Sequence, residues 1–423
     1  MLAILSGAWS RKDMSRALLR RFLAPLCLLL ALSACQTLPY ANDRTVPPVV
    51  EVSDGSAERA ALNARTYDAA VDWVSRRFYR RDFGGIDWRG EAAARRERAV
   101  AQTDEAGLYR ALNETLTLLG DAHTRAVTPT QYRQRLRERR EARPLMGFSM
   151  RVVDGQFIVT HVRSDAPAAG QVQVGWRLDR IDGEPVTPAM ASERRPEHEV
   201  VFTDADDQVH TLMLPEVDLP PRPGEMHRRD DGVVVLTFDY FTPASRTWLT
   251  ERMREIAADP PPGLIVDLRD NGGGLLAAVG AALSPFFAEP QPYAYVQNGY
   301  MPRWPYRTRP WRQGYAGPVA VLISGASASG AEVFAATMQE TGRGWVFGAK
   351  SRGAVIASRQ LVLPDGGELS IGIRAFRSGQ GQVLEGQGVT PDHEVDVTAD
   401  ELRRARDAVI EAAAAALLAT PAA

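Results

Sequence analysis

The sequence predicts a multidomain α/β protein, and three observations carry that reading. In the second half of the chain, apolar runs with the length and content of buried strands alternate with helical patterns; Leu264-Ile265-Val266 and Val319-Ala320-Val321-Leu322-Ile323 are the clearest. From Ala57 to Leu119 the periodicity is helical. Between the two, from Leu145 to about Glu216, short strand patterns follow one another with turn residues between them. The length of 423 residues and a hydrophobic content of 45% fit two or three domains with proper cores.

The N-terminus reads as a targeting segment. Arg16, Arg20 and Arg21 precede an apolar run from Phe22 to Leu32, followed by Leu32-Ser33-Ala34-Cys35. A basic start, a short apolar stretch and small residues make a signal peptide over residues 1–34. The run is too short to span a bilayer. Its L-S-A-C ending resembles a bacterial lipobox, which implies a lipid on Cys35 and a membrane anchor. Gln36, where Asp would retain the protein at the inner membrane, implies the outer membrane by analogy with Gram-negative sorting. Met14 offers an alternative start with a tighter basic segment.

The remaining composition excludes several classes. Cys27 leaves with the signal and Cys35 carries lipid, so no disulfide and no thiol nucleophile are expected. No Cys/His cluster suggests a structural zinc. Arg11, Lys12, Arg16, Arg20 and Arg21 against Asp13 give the first 34 residues +4, which leaves −6 for the rest of a chain whose net charge is −2. That balance gives no reason to expect nucleic acid.

Residues 35–56 are Pro-rich and polar, a tether. Residues 57–143 form a helical N-terminal region, with Tyr67, Ala70, Val71, Trp73, Val74 and Phe78 on one face and a break near Ile86 and Trp88. An amphipathic helix from about Leu108 to Leu119 stops at Gly120. His123 follows in a short polar turn, Leu119-Gly120-Asp121-Ala122-His123-Thr124, where a histidine is either structural or catalytic. Arg133 to Arg143 is a charged, solvated helix ending at Pro144. Residues 145–216 form the β module, in which His161 and His210 read as structural. Pro220 to Pro223 is a linker, and residues 225–418 form the core.

The core opens with a strand from Val233 to Phe238 and a helix from about Ser245 to Ala257. The Leu264 strand ends in Asp267-Leu268-Arg269-Asp270-Asn271-Gly272-Gly273-Gly274, glycines that let another backbone approach and leave N–H groups unobstructed. A loop rich in Pro, Trp, Tyr and Arg, Pro290 to Tyr315, either lines a groove or covers the surface. The Val319 strand leads through small residues to Ser329-Gly330-Ala331-Glu332, an S-x-x-E capping box before a helix. Ser329 is there either an N-cap or a nucleophile. Free N–H groups at such a helix start can hold an oxyanion. Ser327 is a rival hydroxyl, but Ser329 has the spacing to Glu332, which reads as cap rather than catalyst. Gln360-Leu363 and Leu369-Ile373 form a hairpin, and Ala399 to Leu418 a single Ala-rich packing helix.

Together, D-L-R-x-N-x-G-G after one strand, S-x-x-E after the next, and Gly348 to Gly353 behind it resemble the tail-specific or C-terminal processing serine peptidases. The resemblance covers nearly the whole chain behind the leader, and it implies a crotonase-like α/β peptidase core. The Ser-Lys members place a lysine where this chain has Ala354; Lys350, in the preceding turn, is the sole lysine beyond residue 34. The chain is therefore more similar to the Ser-His branch with the tricorn core. There L-G-D-x-H-T carries the base, matched by His123, and E-x-x-G-V-x-P-D carries the acid, matched from Glu385 to Asp392.

The resemblance implies that Ser329 attacks a peptide carbonyl and His123 moves the proton. Glu385 orients the imidazole, and the N–H groups of Gly273 and Gly330 hold the oxyanion. It also implies that residues 145–216 are an inserted PDZ-like domain. Its loop Met146-Gly147-Phe148-Ser149 would receive a polypeptide C-terminus, although Trp176 stands where an acidic residue is usual. Polypeptides are the expected partners, with no cofactor and no metal; the pattern allows a homo-oligomer. The competing expectation, built on Ala354, is a peptide-binding scaffold with a degenerate core.

Overall fold

The computed structural model describes residues 50–121, 123–140, 144–187, 196–219, 222–297, 305–311 and 314–420. The leader, Cys35 and most of the tether lie outside them. Helices α1 (Ala57–Arg77), α2 (Trp88–Val100) and α3 (Glu105–Thr117) come first. Each starts at a side-chain cap: Ser56, Asp87 and Asp104 accept the N–H groups of Arg59, Gly90 and Gly107. The chain leaves α3 through Gly120, whose φ of 62° a side chain would resist. It then enters β1 (Arg125–Val127), α4 (Pro129–Arg140) and β2 (Pro144–Leu145).

The β module contains β3 (Phe148–Val153), β4 (Gln156–Val162), β5 (Arg177–Ile181), β6 (Glu184–Pro185), β7 (Glu197–Thr203) and β8 (Val209–Pro215), followed by β9 (Val217–Asp218). Its sheet runs β3-β4-β5-β7-β8 with β6 on β5, so β3 is an edge strand. Val159, Leu178, Val200, Phe202 and Leu214 form its core. Trp176 stacks on His210 at 4.1 Å between ring centres, and His210 is held by Asp204 at 2.8 Å, the structural role expected of it. β2 pairs with β9 and ties the two ends of the module together.

The remaining elements are β10 (Glu225–Arg228), β11 (Val234–Thr237), α5 (Pro243–Ala258), β12 (Leu264–Asp267), α6 (Leu276–Leu283), β13 (Pro292–Gln297), β14 (Pro305–Arg307), β15 (Val319–Ile323), α7 (Gly330–Glu340), β16 (Trp345–Gly348), β17 (Ile356–Val362), β18 (Glu368–Ser378), β19 (His393–Glu394), α8 (Ala399–Arg403) and α9 (Ala408–Ala419). The central sheet runs β10-β11-β12-β15-β16-β19 and is parallel from β11 onward. Both of its faces are covered, which is why its strands are apolar runs rather than alternating patterns. Val234, Leu236, Leu264, Val266, Val319, Val321 and Ile323 point to α5, α6 and α7. The intervening Val233, Val235, Ile265, Ala320 and Leu322 point to Val409, Ala413 and Leu417 of α9. Full burial of a Val, Leu or Ile contributes roughly 1.5–3 kcal/mol. That outweighs the poor strand preference of Ala320 in the middle of β15.

A second sheet, β1-β18-β13-β14 with β17 against β18, receives the helical region. Tyr67, Leu108, Leu112 and Leu116 pack on Leu363, Leu369 and Ile371. Pairing of Arg125 with Ser370 brings the turn that carries His123 onto β18.

Two expectations are corrected. The segment from Pro290 to Tyr315 is not wholly loop: it contributes β13 and β14, and Tyr293 and Ala294 are core residues. The tail is not one helix. It breaks at Ala405, at a φ of 54°, because Asp407 leaves the helical path to start α9 and reach Arg269.

Candidate active site

β12 and β15 are parallel neighbours, with Asp267 opposite Leu322, and both chains leave the sheet at its carboxyl edge. Clefts in α/β proteins form at this edge. The β12 exit is fixed by a buried ion network. Arg269 grips Asp267 through Nε at 2.9 Å and Nη2 at 2.6 Å, and reaches Asp407 at 2.7 Å. Asn271, with no exposed surface, then shapes the glycine loop. Its Nδ2 donates to Phe238 O at 2.7 Å, its Oδ1 accepts the Gly273 N–H at 2.8 Å, and its carbonyl accepts the Ala328 N–H at 3.1 Å.

That arrangement corrects the expectation for Gly273. Its N–H is already taken by the Asn271 side chain, a local bond that asparagine readily makes to its own loop. Among the described residues no hydrogen bond occupies the Gly274 N–H. Gly274 has a φ of 140°, and a Cβ there would lie 2.4 Å from Phe241 O, so no other residue fits. Its nitrogen is 3.3 Å from where a Cβ on Gly330 would stand. The amides of Gly274 and Gly330 are therefore neighbours beside Ser329.

Ser329 is the turn between β15 and α7. Its φ of 54° and ψ of −111° are unusual for a residue with a side chain and cost on the order of 1–3 kcal/mol. A sharp, strained strand-to-helix turn of this kind presents a serine hydroxyl above a sheet. The residue is half-buried, whereas Ser327 is fully buried. The Ser327 hydroxyl donates to Leu268 O at 2.7 Å and accepts the Ser324 N–H at 2.9 Å, so it is a structural group.

His123 is held in place by the rest of its motif. Asp121 Oδ1 accepts the His123 N–H at 2.9 Å, Thr124 donates its hydroxyl to Asp121 Oδ2, and Thr124 Oγ1 accepts the Gly372 N–H at 3.0 Å. His123 Nε2 lies 3.5 Å from Glu385 Oε1. The neighbouring Glu385 carboxylate raises the His123 pKa above the ordinary histidine value, against the opposing effect of burial. Glu385 Oε2 in turn accepts the Val355 N–H at 2.7 Å.

No hydrogen bond joins Ser329 to His123 among the described residues. They are linked through one strip of backbone. Glu332, fully buried, accepts the N–H of Ser329 at 2.8 Å, of Gly353 at 2.6 Å and of Ala354 at 2.8 Å, and the Ser351 hydroxyl at 2.6 Å. The next amide, Val355, carries Glu385. The sequence announces the Glu332 cap, but not this second set of partners, because donors from the 351–354 loop are backbone groups without a residue signature.

The expected peptide loop is shorter than the sequence suggests. Met146 and Gly147 precede β3, and Phe148 and Ser149 already belong to it, opposite Val162 and His161. Gly147 has a φ of 94° and packs against Ala166.

Residues 232–395 match the model of peptidase family S41. The chain is 22% identical over 361 residues to a carboxyl-terminal-processing protease of Picosynechococcus sp., covering 81% of this chain and 86% of that one. It is 30% identical over 211 residues to the tail-specific protease of Haemophilus influenzae, covering 46% of this chain but 28% of that protein. Its fold is similar to that of the photosystem II D1 C-terminal processing protease, with a TM-score of 0.58 at 19% identity over 84% of this chain and 97% of that one. The chain is a serine peptidase. The segment that matches the family S41 model holds Ser329, the glycine loop and Glu385.

Proposed function

We propose that this chain is a lipid-anchored serine endopeptidase of the bacterial envelope, guided by its β module towards polypeptide C-termini, with Ser329, His123 and Glu385 as catalytic residues. The observation that carries the catalytic part is the His123–Glu385 contact, tied by the Gly353–Val355 strip to the strained turn of Ser329. Ser329 Oγ attacks the peptide carbonyl. His123 takes its proton on the ring nitrogen not facing Glu385, then delivers it to the leaving amine. Glu385 stabilises the imidazolium that forms. The amides of Gly330 and Gly274 hold the oxyanion, with Gly274 in the role first assigned to Gly273. Water then hydrolyses the acyl-enzyme.

The β module supplies the guidance. Its edge strand β3 is open to pairing with an extended peptide, and Met146 and Gly147 lead into it. The anchor rests on the L-S-A-C sequence at Cys35 alone. Among the described residues no helix is long and apolar enough to cross a membrane.

The test is turnover of an unstructured polypeptide with a free apolar C-terminus and of its C-terminally amidated form. Wild type should cleave the free form faster, while Ser329→Ala, His123→Ala and Glu385→Gln lose most activity on both. Equal rates on the two substrates contradict C-terminal guidance. Full activity in Ser329→Ala contradicts the assigned nucleophile.

A further inference from the structure

Glu332 has more to do than cap a helix. It is a carboxylate with no exposed surface, and it collects four donors from two separate parts of the chain. Ser329 N–H and Ala354 N–H share Oε2; Gly353 N–H and the Ser351 hydroxyl share Oε1. Charge-assisted hydrogen bonds of this type are among the strong ones. A helix start needs one such bond, and the remaining three come from the 351–354 loop. That loop is itself locked to the segment carrying Glu385. Gly386 N–H donates to Gly353 O at 2.8 Å, and Ser351 N–H donates to Val389 O at 3.0 Å. Val389 N–H returns to Ser351 Oγ at 2.7 Å.

From this arrangement we infer that Glu332 is a positioning residue for catalysis: it fixes the strained Ser329 backbone against the 353–355 strip and so sets where the nucleophile stands relative to the His123–Glu385 pair. The inference rests on the assignment of Ser329 as nucleophile. Ser329 adopts its backbone angles only while its surroundings over-determine them. Its N–H is held by Glu332 Oε2, and its carbonyl by the N–H groups of Glu332 and Val333, both at 3.1 Å. Glu332 Oε2 is the atom common to Ser329 and Ala354. Val355, the residue after Ala354, holds Glu385, and Glu385 faces His123. A shift at Glu332 therefore changes where Ser329 stands relative to the His123–Glu385 pair.

Glutamine at this position is the informative change, because it has the same shape but a single acceptor oxygen. With its carbonyl at the Oε2 site, its NH2 faces the Gly353 N–H. Reversed, the NH2 faces both Ser329 and Ala354. Either orientation opposes a donor to a donor.

The experiment compares wild type, Glu332→Gln and Ser351→Ala as folded, full-length protein. It reads three quantities on the same preparations: the rate of fluorophosphonate capture at Ser329, kcat and KM on one peptide, and the thermal unfolding midpoint. Misplacement of a reacting group by about 1 Å costs on the order of 100-fold in rate. Glu332→Gln is expected to lower both capture rate and kcat by about that factor below its unfolding temperature, with KM little changed. Ser351→Ala removes one donor from Glu332 without touching Ser329, and a smaller fall in both rates is expected. Wild-type capture rates in folded Glu332→Gln overturn the inference. If that variant does not fold, Ser351→Ala decides: a lowered midpoint with wild-type capture makes Glu332 purely structural. Absence of capture at Ser329 in wild type removes the nucleophile assignment and this inference together, and is distinguished because the unmodified protein fails.

Discussion

Ala354 donates its backbone N–H to Glu332 Oε2 across 2.8 Å, and its side chain takes no part. This is the position at which the Ser-Lys peptidases resembled by the sequence carry their base. Here the position serves through its main chain, and the proton acceptor assigned to the site is a histidine from the helical region. His123→Ala should lower kcat/KM by roughly 10²–10⁴-fold, the usual contribution of general acid–base catalysis. Adding Ala354→Lys to that variant should not restore activity. Steady-state kinetics on the double variant checks this; recovery would mean that the lysine geometry is latent in the fold.

The raised His123 pKa gives a signed pH prediction. The base must be neutral to accept the serine proton, so the acid limb of kcat/KM should lie above the ordinary histidine value of about 6.5. Glu385 is the largest cause of the shift, and Glu385→Gln should move that limb to lower pH as well as slow the reaction. In stability terms the pair contributes fully below the unfolded histidine pKa, and its contribution is lost as pH rises through the raised folded value. A pH–rate profile of the two proteins measures the displacement. An acid limb that moves up in Glu385→Gln contradicts the assignment.

Gly273 tests how tightly the glycine loop abuts Ser329. A Cβ at Gly273 would fall 2.6 Å from Ser329 Cβ and 2.7 Å from Ala328 O, at a φ of 93°. Gly381 has a nearly equal φ of 92°, but a Cβ there meets nothing within 4 Å. Gly273→Ala should therefore lose activity far beyond any loss of stability, while Gly381→Ala pays only the backbone strain and keeps its kcat. Activity and unfolding midpoints measured in parallel separate the two effects.

The Arg269 network predicts a stability effect. Arg269 is buried with 3% exposure, and its partners Asp267 and Asp407 come from β12 and the N-cap of α9. Breaking a buried pair by removing one partner costs about 3–5 kcal/mol, because the other charge is left uncompensated. Arg269→Ala should lose about that much in chemical denaturation. Asp407→Ala should lose less, since Asp267 still neutralises Arg269.

Much of this fold was legible in the sequence because burial on both faces of the central sheet leaves uninterrupted apolar runs. Leu264–Asp267 and Val319–Ile323 stand out for that reason, and S-x-x-E marks the start of α7 within two residues. The turn carrying His123 was legible too, since Gly120 stops a helix and Asp121 and Thr124 are residues that build turns. What the sequence hid depends on long-range polar partners. The break in the tail exists because Asp407 pairs with Arg269, 138 positions away, and an alanine-rich stretch gives no sign of it. The Gly273 amide is consumed by Asn271, a choice between neighbouring glycines that spacing does not decide. The strands at Pro292–Gln297 and Pro305–Arg307 are masked by Pro and aromatic residues that also suit a loop.

The most direct measurement is mass spectrometry of the protein after reaction with a fluorophosphonate, mapped to the modified residue in wild type, Ser329→Ala and His123→Ala. Modification at Ser329 in wild type, absent in Ser329→Ala and strongly slowed in His123→Ala, is the predicted result. Modification at another serine, or undiminished labelling of Ser329 without His123, would contradict the Ser329–His123 site.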